Sequence, residues 1–249
     1  MSTQATAQFM QTPAGAQLHR WEAEQMDRLM ARQSGEAALQ IGDGFAKALR
    51  SAPIGFKLCV ESEVAALPLL TYQDAVVADP VALPFAQDTF DVVLLHHALA
   101  SHTSPLCVLK EAIRVLAPGG RLVILEMNPW GPWYVRRKAQ LLALSTHFQP
   151  VSVRWVKNSL AGAVTLDRGR FGVYSLSLSD NPNTLAKWSW MEKAGDRWWP
   201  SMANAYMLSG IKTEQSLSLV GKITQECEKF ARGWVKTPVS QAQLESNKK

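Results

Sequence analysis

The stretch Gln40-Ile41-Gly42-Asp43-Gly44-Phe45-Ala46 sets two glycines around an aspartate directly after a short apolar run. Glycine lets a backbone turn sharply and approach a ligand with no Cβ in the way. A plain strand-to-helix turn is the simpler use of the same residues. Glu61 closes a second apolar run, 17 residues after Gly44. A carboxylate there can accept hydrogen bonds from both hydroxyls of a ribose, as open α/β sheets do when they hold nucleosides. The alternatives are a solvated acid at a strand end, or Glu63 in its place. Asp79-Pro80 follows a third run and reads either as an acceptor for a ligand or as a turn. His96-His97 close a fourth run, with His102 close behind. An imidazole there can act as a general base, because its pKa lies near working pH, pack against a ligand, or merely cap the strand end. Two adjacent histidines in extended backbone point to opposite sides, so the pair is not expected to chelate, and no metal is expected.

These residues need a scaffold that presents strand ends side by side. Thr12-Pro13 reads as an N-cap with proline at the first helical position. Leu18, Trp21, Met26 and Leu29 then recur at helical spacing to about Arg32, and Gly35 ends the helix. Strands are expected over 37–41, 57–61, 75–79, 90–95 and 121–126, with a helix starting at Phe45. Phe90 to Leu95 is almost continuously apolar, as in a strand buried on both faces. Ser104-Pro105 caps a helix whose inner stripe is Leu106, Leu109, Ile113 and Leu116, and Pro118-Gly119-Gly120 stops it. Alternation of this kind gives a parallel sheet with helices on both sides. Asp91 falls at the opposite end of its strand from the residues above and reads as structural. Beyond it, 133–147, 152–160 and the stripe of Leu185, Trp188, Met191 and Trp198 read as helical. Residues 164–171 and 203–212 read as strands, the last an antiparallel edge strand.

The whole chain sets the bounds. Its 249 residues are 47% hydrophobic and 19% charged, too polar for a membrane bundle and too apolar for disorder. A domain of this size buries roughly three quarters of its unfolded surface. No apolar run reaches the ~18 residues of a spanning helix, and no secretion signal is visible. Three widely spaced cysteines suggest neither a disulfide framework nor a metal knuckle. A cytoplasmic protein is the expectation. The net charge of +5 is concentrated in Arg136-Arg137-Lys138 and in the tail. Eight of the nine tryptophans follow residue 129. Nucleic acid or a membrane surface is a possible partner on these grounds but not the favoured one, since most of the tryptophans fit helix-core positions.

One segment is more specific. Asp79-Pro80-Val81-Ala82-Leu83-Pro84-Phe85, followed by Phe90-Asp91-Val92-Val93, resembles the D-x-x-x-L-P-F-x-x-x-x-F-D-V-V block of class I S-adenosylmethionine-dependent methyltransferases. Downstream, Leu116-Ala117-Pro118-Gly119-Gly120-Arg121-Leu122-Val123-Ile124 resembles that family's L-x-P-G-G-x-L-x-I block. Order and spacing also match, over about Ala75 to Glu126, and the type 11 subgroup is the nearest likeness. The resemblance implies an α/β fold of the Rossmann-like class I methyltransferase kind: a mostly parallel central sheet flanked by helices, with an antiparallel last strand. With the pattern of elements, the chain divides into an expected helical segment over 1–35, a methyltransferase-like domain over 36–215 with acceptor-side elements about 128–200, and a basic tail over 216–249. S-adenosylmethionine is the implied cofactor and an unidentified methyl acceptor the implied partner. The implied cofactor residues are Gln40, Gly42, Asp43 and Gly44 for the amino-acid end, Glu61 for the ribose, Asp79 and Pro80 for the adenine, and His96 for the methionine arm. His96 and His97 are the candidates for catalysis.

The glycine motif departs from the family's acidic-x-G-x-G-x-G, with Gln40 in place of the acid and Ala46 in place of the third glycine. Gln40 offers an acceptor without charge, a difference worth ~1–2 kcal/mol toward an ammonium. A dinucleotide fingerprint fares worse, since its third glycine would be Lys47. Asn128-Pro129-Trp130 looks like the motif of amino-methylating relatives but follows the fifth strand, not the fourth, and reads as the start of a loop. The altered motif also leaves room for a second function, a methyltransferase fold used for binding without catalysis.

Overall fold

The computed structural model describes residues 12–42, 48–62, 74–135, 149–174 and 202–213. Helix α1 spans Pro13–Met30, and the Thr12 hydroxyl accepts the Gly15 N–H at 3.1 Å. Strands β1 (Gly35–Gly42), β2 (Ile54–Glu61), β3 (Asp74–Val77) and β4 (Phe90–His96) follow. A short helix α2 (Ala98–Ser101) and a longer one, α3 (Pro105–Val115), lead into β5 (Leu116–Met127). Helix α4 (Val153–Leu160), β6 (Val164–Gly172) and β7 (Ala205–Lys212) complete the described elements. None of the described helices is long and apolar enough to cross a membrane.

The seven strands lie in the order β3-β2-β1-β4-β5-β7-β6. The first five pair in parallel, and β7 runs antiparallel to both β5 and β6. The expected antiparallel last strand is therefore present, but it is not at the edge: β7 is inserted between β5 and β6, and β6 forms the border. The reason is side-chain composition. Every residue of β7 except Ile211 is buried, whereas Thr165 to Arg170 of β6 are largely exposed. A strand that is apolar on both faces belongs inside the sheet.

Alternation along the strands divides the core in two. Leu39, Ile41, Val93, Leu95, Leu122 and Ile124 point to the face covered by α3 and α4. Ala38, Val92, Leu94, Val123 and Leu125 point to the other, where Met26, Leu29 and Met30 of α1 cover them. Each fully buried Leu or Met adds about 1.5–3 kcal/mol, so α1 is held by the same core as the sheet. Two differences of detail concern helix ends. Ser104 stands at the N-cap of α3 without a side-chain capping bond, and β5 begins at Leu116, so Pro118-Gly119-Gly120 lies in the strand rather than stopping the helix. Asp91 accepts the Glu36 and Ala37 N–H groups at 2.6 and 3.1 Å, tying the start of β1 to β4 as a structural residue does. Cys59 is buried, and Cys107 is disulfide-bonded, a pairing the cysteine spacing did not suggest. The helix expected from Phe45 falls largely outside the described residues, as do most of the one over 133–147 and the whole of the tryptophan-rich stripe.

Candidate cofactor crevice and the buried acid–histidine cluster

Strand order reverses between β1 and β4, and an open α/β sheet binds ligands outside the carboxyl ends of its strands at such a point. The sequence candidates gather there. Gly42 ends β1 and is in register with His96 at the end of β4. Its φ is +94°, and a Cβ built on it would lie 2.3 Å from the His96 carbonyl oxygen. Only glycine suits both conditions. Asp43 and Gly44 lie outside the described residues. Gln40 is fully buried within β1, in register with Leu94.

Glu61 ends β2 and is 8% exposed, and its carbonyl oxygen accepts the Ala78 N–H at 3.0 Å, just ahead of Asp79. Asp79 Oδ1 accepts the Val81 N–H at 3.0 Å and lies 3.6 Å from His102 Nε2. The turn role and an open role thus coexist, because that carboxylate is 35% exposed. Pro80 is buried behind it. Burial pushes the His102 imidazole below its usual pKa, against the pull of Asp79. Glu61 and Asp79 therefore stand at the ends of adjacent strands, with the turn at Gly42 beyond.

The histidine pair overturns one expectation. His97 has φ +51° and caps α2 in the left-handed region, so the chain has already left extended geometry and the second ring swings to the same side as the first. The ring centroids are 4.8 Å apart. Both Nε2 atoms converge on Glu22 of α1, His96 at 3.1 Å to Oε2 and His97 at 2.8 Å to Oε1. All three side chains are buried, His96 at 0% and His97 at 7% exposure. Burial raises the Glu22 carboxyl, but the two imidazoles outweigh it and hold that carboxyl well below the usual range.

Behind His97 lies Glu126, near the end of β5. Its Oε1 accepts the Leu99 and Ala100 N–H groups at 2.8 and 3.3 Å. Its Oε2 is 3.9 Å from His97 Nδ1, and neither of those two buried atoms has a hydrogen-bond partner. Burial pushes the Glu126 carboxyl up to about 7, against the charge of His97 and the two backbone donors. Neither Glu22 nor Glu126 was among the sequence candidates. A signal for Glu22 existed: it falls on the buried stripe with Leu18, Gln25, Met26 and Leu29, where an acid needs a partner.

Asn128 and Asn204 form the floor of the neighbouring loop. Asn128 Nδ2 donates to the Ala203 carbonyl at 2.9 Å, and the Asn204 carboxamide oxygen accepts the Trp133 N–H at 2.8 Å. Trp133 is fully buried while Trp130 is 73% exposed. Asn128 Oδ1 also accepts the Trp130 N–H at 3.1 Å, so Asn128 opens the turn that follows β5.

A mostly parallel sheet with this strand order, an antiparallel β7 and a glycine turn at the switch point define a protein of the class I methyltransferase fold. Residues 46–124, about a third of the chain, match the type 11 family model described as Methyltransferase domain. That match implies S-adenosylmethionine as the cofactor. The ubiquinone/menaquinone biosynthesis C-methyltransferase UbiE of Roseobacter denitrificans is 49% identical over 55 residues, 22% of each chain. The demethylmenaquinone methyltransferase of Beutenbergia cavernae is 29% identical over 160 residues, 64% of this chain and 59% of that one. The chain thus matches about a fifth to three fifths of the length of these relatives. Among solved structures, a chain from the complex of the Haloferax volcanii Trm112 methyltransferase activator with a methyltransferase superposes with a TM-score of 0.60. It is 17% identical over 84% of this chain and 98% of that one, a likeness of fold.

Proposed function

We propose that this protein transfers the methyl group of S-adenosylmethionine to an acceptor, working in the cytoplasm. The observation that carries the reading is the gathering of Gly42, Glu61 and Asp79 at the carboxyl ends of three adjacent strands beside the switch point. The residues fit the group. Glu61 offers a carboxylate to ribose hydroxyls, Asp79 keeps a partly exposed oxygen for an adenine amino group, and Pro80 backs it. Gly42 closes β1 where the amino-acid end would lie, with Asp43 and Gly44 next in sequence, and Gln40 precedes it in the strand as an uncharged acceptor. The cofactor supplies a sulfonium-activated methyl group. The chain's own part is to orient donor and acceptor and exclude water, worth up to ~7–11 kcal/mol when alignment is good. No general base is required for such positioning, and His96 and His97, turned onto Glu22, are assigned to holding α1 over the strand ends.

Isothermal titration of the full chain with S-adenosylmethionine and S-adenosylhomocysteine tests this. One-to-one binding of both is expected, and absence of binding to either overturns it. The competing reading, binding without catalysis, is favoured by Gln40 and Ala46. It predicts binding with no S-adenosylhomocysteine formed when small-molecule, lipid and RNA extracts are supplied as acceptors.

A further inference from the structure

We propose that Glu22, His96 and His97 form a binding site for a divalent transition cation of the Zn2+ class, with Glu126 supporting it through His97. Among the described residues these three form the group whose ligand atoms all lie within 4.8 Å of one another. An ion bonded at about 2.1 Å to each in tetrahedral geometry would space them by about 3.4 Å. The Glu22 carboxylate already spans both rings, with Oε1 at 2.8 Å from His97 Nε2 and Oε2 at 3.1 Å from His96 Nε2. Two imidazoles and a carboxylate are an established zinc-ligand set, completed by water.

The second observation is the unmade bond behind the cluster. A neutral imidazole has one N–H and one lone pair. If His97 carries its proton on Nε2, it serves Glu22 and presents a lone pair to Glu126, so two acceptors meet whenever Glu126 is ionised. If it carries the proton on Nδ1, it faces Glu126 correctly but turns a lone pair on the Glu22 carboxylate at 2.8 Å. A cation between Nε2 and Glu22 resolves both ends: Nε2 ligates, and Nδ1–H becomes the donor that Glu126 Oε2 lacks. That carboxylate–histidine–metal arrangement is the usual way a metal-bound histidine is oriented. Charge also closes, since one dication balances the two buried carboxylates while both imidazoles stay neutral. The ion would join α1 to the end of β4, next to Gly42. The rival occupant is a proton, either on His97, making an imidazolium shared by two carboxylates, or on Glu126, whose O–H would face the His97 Nδ1 lone pair.

Because the cluster is buried, the test loads the full chain, free of any affinity tag, by refolding it with Zn2+ or Co2+ and then dialysing. None of the readouts involves methyl transfer, so they stand apart from the function proposed above. The expected result is one equivalent of metal per chain, with Co2+ showing visible ligand-field bands of nitrogen and oxygen ligands. Glu22→Gln should lose the metal. Glu126→Gln, which keeps an oxygen for the Leu99 and Ala100 N–H groups, should fold by circular dichroism and bind 10–100-fold more weakly. Should Glu22→Gln fail to fold, Glu126→Gln decides. Wild-type protein without stoichiometric metal would overturn the proposal in favour of the proton. So would a Co2+ spectrum dominated by thiolate bands, or a folded Glu126→Gln that binds as tightly as wild type.

Discussion

The space a side chain at Gly42 would need is taken by the carbonyl oxygen of His96, 2.3 Å from where a Cβ would sit. The two residues are register partners on adjacent parallel strands. The glycine at the end of β1 is thus required first by the neighbouring strand, whatever ligand the turn also serves.

Gly42→Ala should therefore lower stability by about 2 kcal/mol or more, the sum of left-handed strain of ~1–2 kcal/mol and a backbone clash. Gly119→Ala is the control, since Gly119 also has a positive φ (+74°) but nothing within 4 Å of its would-be Cβ. It should cost about 1 kcal/mol. Urea denaturation of both variants measures the difference, and equal losses would mean that β1 and β4 part easily.

Asp79 offers a test of the crevice. Asp79→Asn keeps an oxygen for the Val81 N–H but removes the charge, whereas Asp79→Ala removes both. Both should weaken S-adenosylmethionine binding about tenfold, as loss of a bond to a charged acceptor costs roughly 1.5–3 kcal/mol. If only Asp79→Ala weakens binding in titration calorimetry, the turn and not the carboxylate is what the cofactor needs.

Glu126 should leave a signature in the pH dependence of stability. Its folded pKa is raised to about 7 from an ordinary 4.5. The folded state thus holds a proton that the unfolded state has released, and stability falls as pH rises from about 4.5 to about 7. In metal-free protein Glu126→Gln should flatten that fall and be the more stable form at pH 8, by at most about 3 kcal/mol. Denaturant midpoints at pH 5 and pH 8 for both proteins check it.

Lys212 fixes the end of β7. Its side chain is 7% exposed, and its Nζ donates to Asp88 Oδ1 at 2.6 Å and to the Ile113 and Leu116 carbonyls at 2.9 and 2.6 Å. Lys212→Met should cost about 2–3 kcal/mol, because two carbonyls lose their donor. The bond from Lys212 holds the Asp88 carboxyl below its ordinary value. That contribution is present above about pH 4 and fades as pH falls through the lowered pKa. Asp88 is a third exposed, so solvent screening keeps its share small. An acid limb of the stability curve that is identical in Lys212→Met and wild type would contradict the link.

The strands were legible in the sequence because runs such as Phe90 to Leu95 are apolar enough to admit no other reading, and the cap Thr12 binds the N–H its chemistry suits, whereas the cap expected at Ser104 makes no such bond. The place of β7 was not legible, since adjacency in a sheet depends on which strand is buried on both faces, and 164–171 and 203–212 look alike in length and spacing. The candidate site was half legible. Residues at strand ends could be picked out one by one, but the left-handed turn at His97 carries no local signal of the glycine kind. Without that turn the two rings diverge and Glu22 has no partner to suggest.

The insertion of β7 between β5 and β6 has a consequence for how the chain is made. Among the described strands, β6 pairs with β7 alone, and β7 begins more than thirty residues later. During synthesis at ~5–20 residues per second, β6 leaves the ribosome with nothing to pair with, and β5 shows an open edge for the same seconds. An exposed apolar edge invites pairing with other nascent chains. The exposed, charged run Asp167-Arg168-Gly169-Arg170 in β6 is what such an interval calls for, keeping the waiting strand hydrated until β7 arrives and Lys212 closes on Asp88.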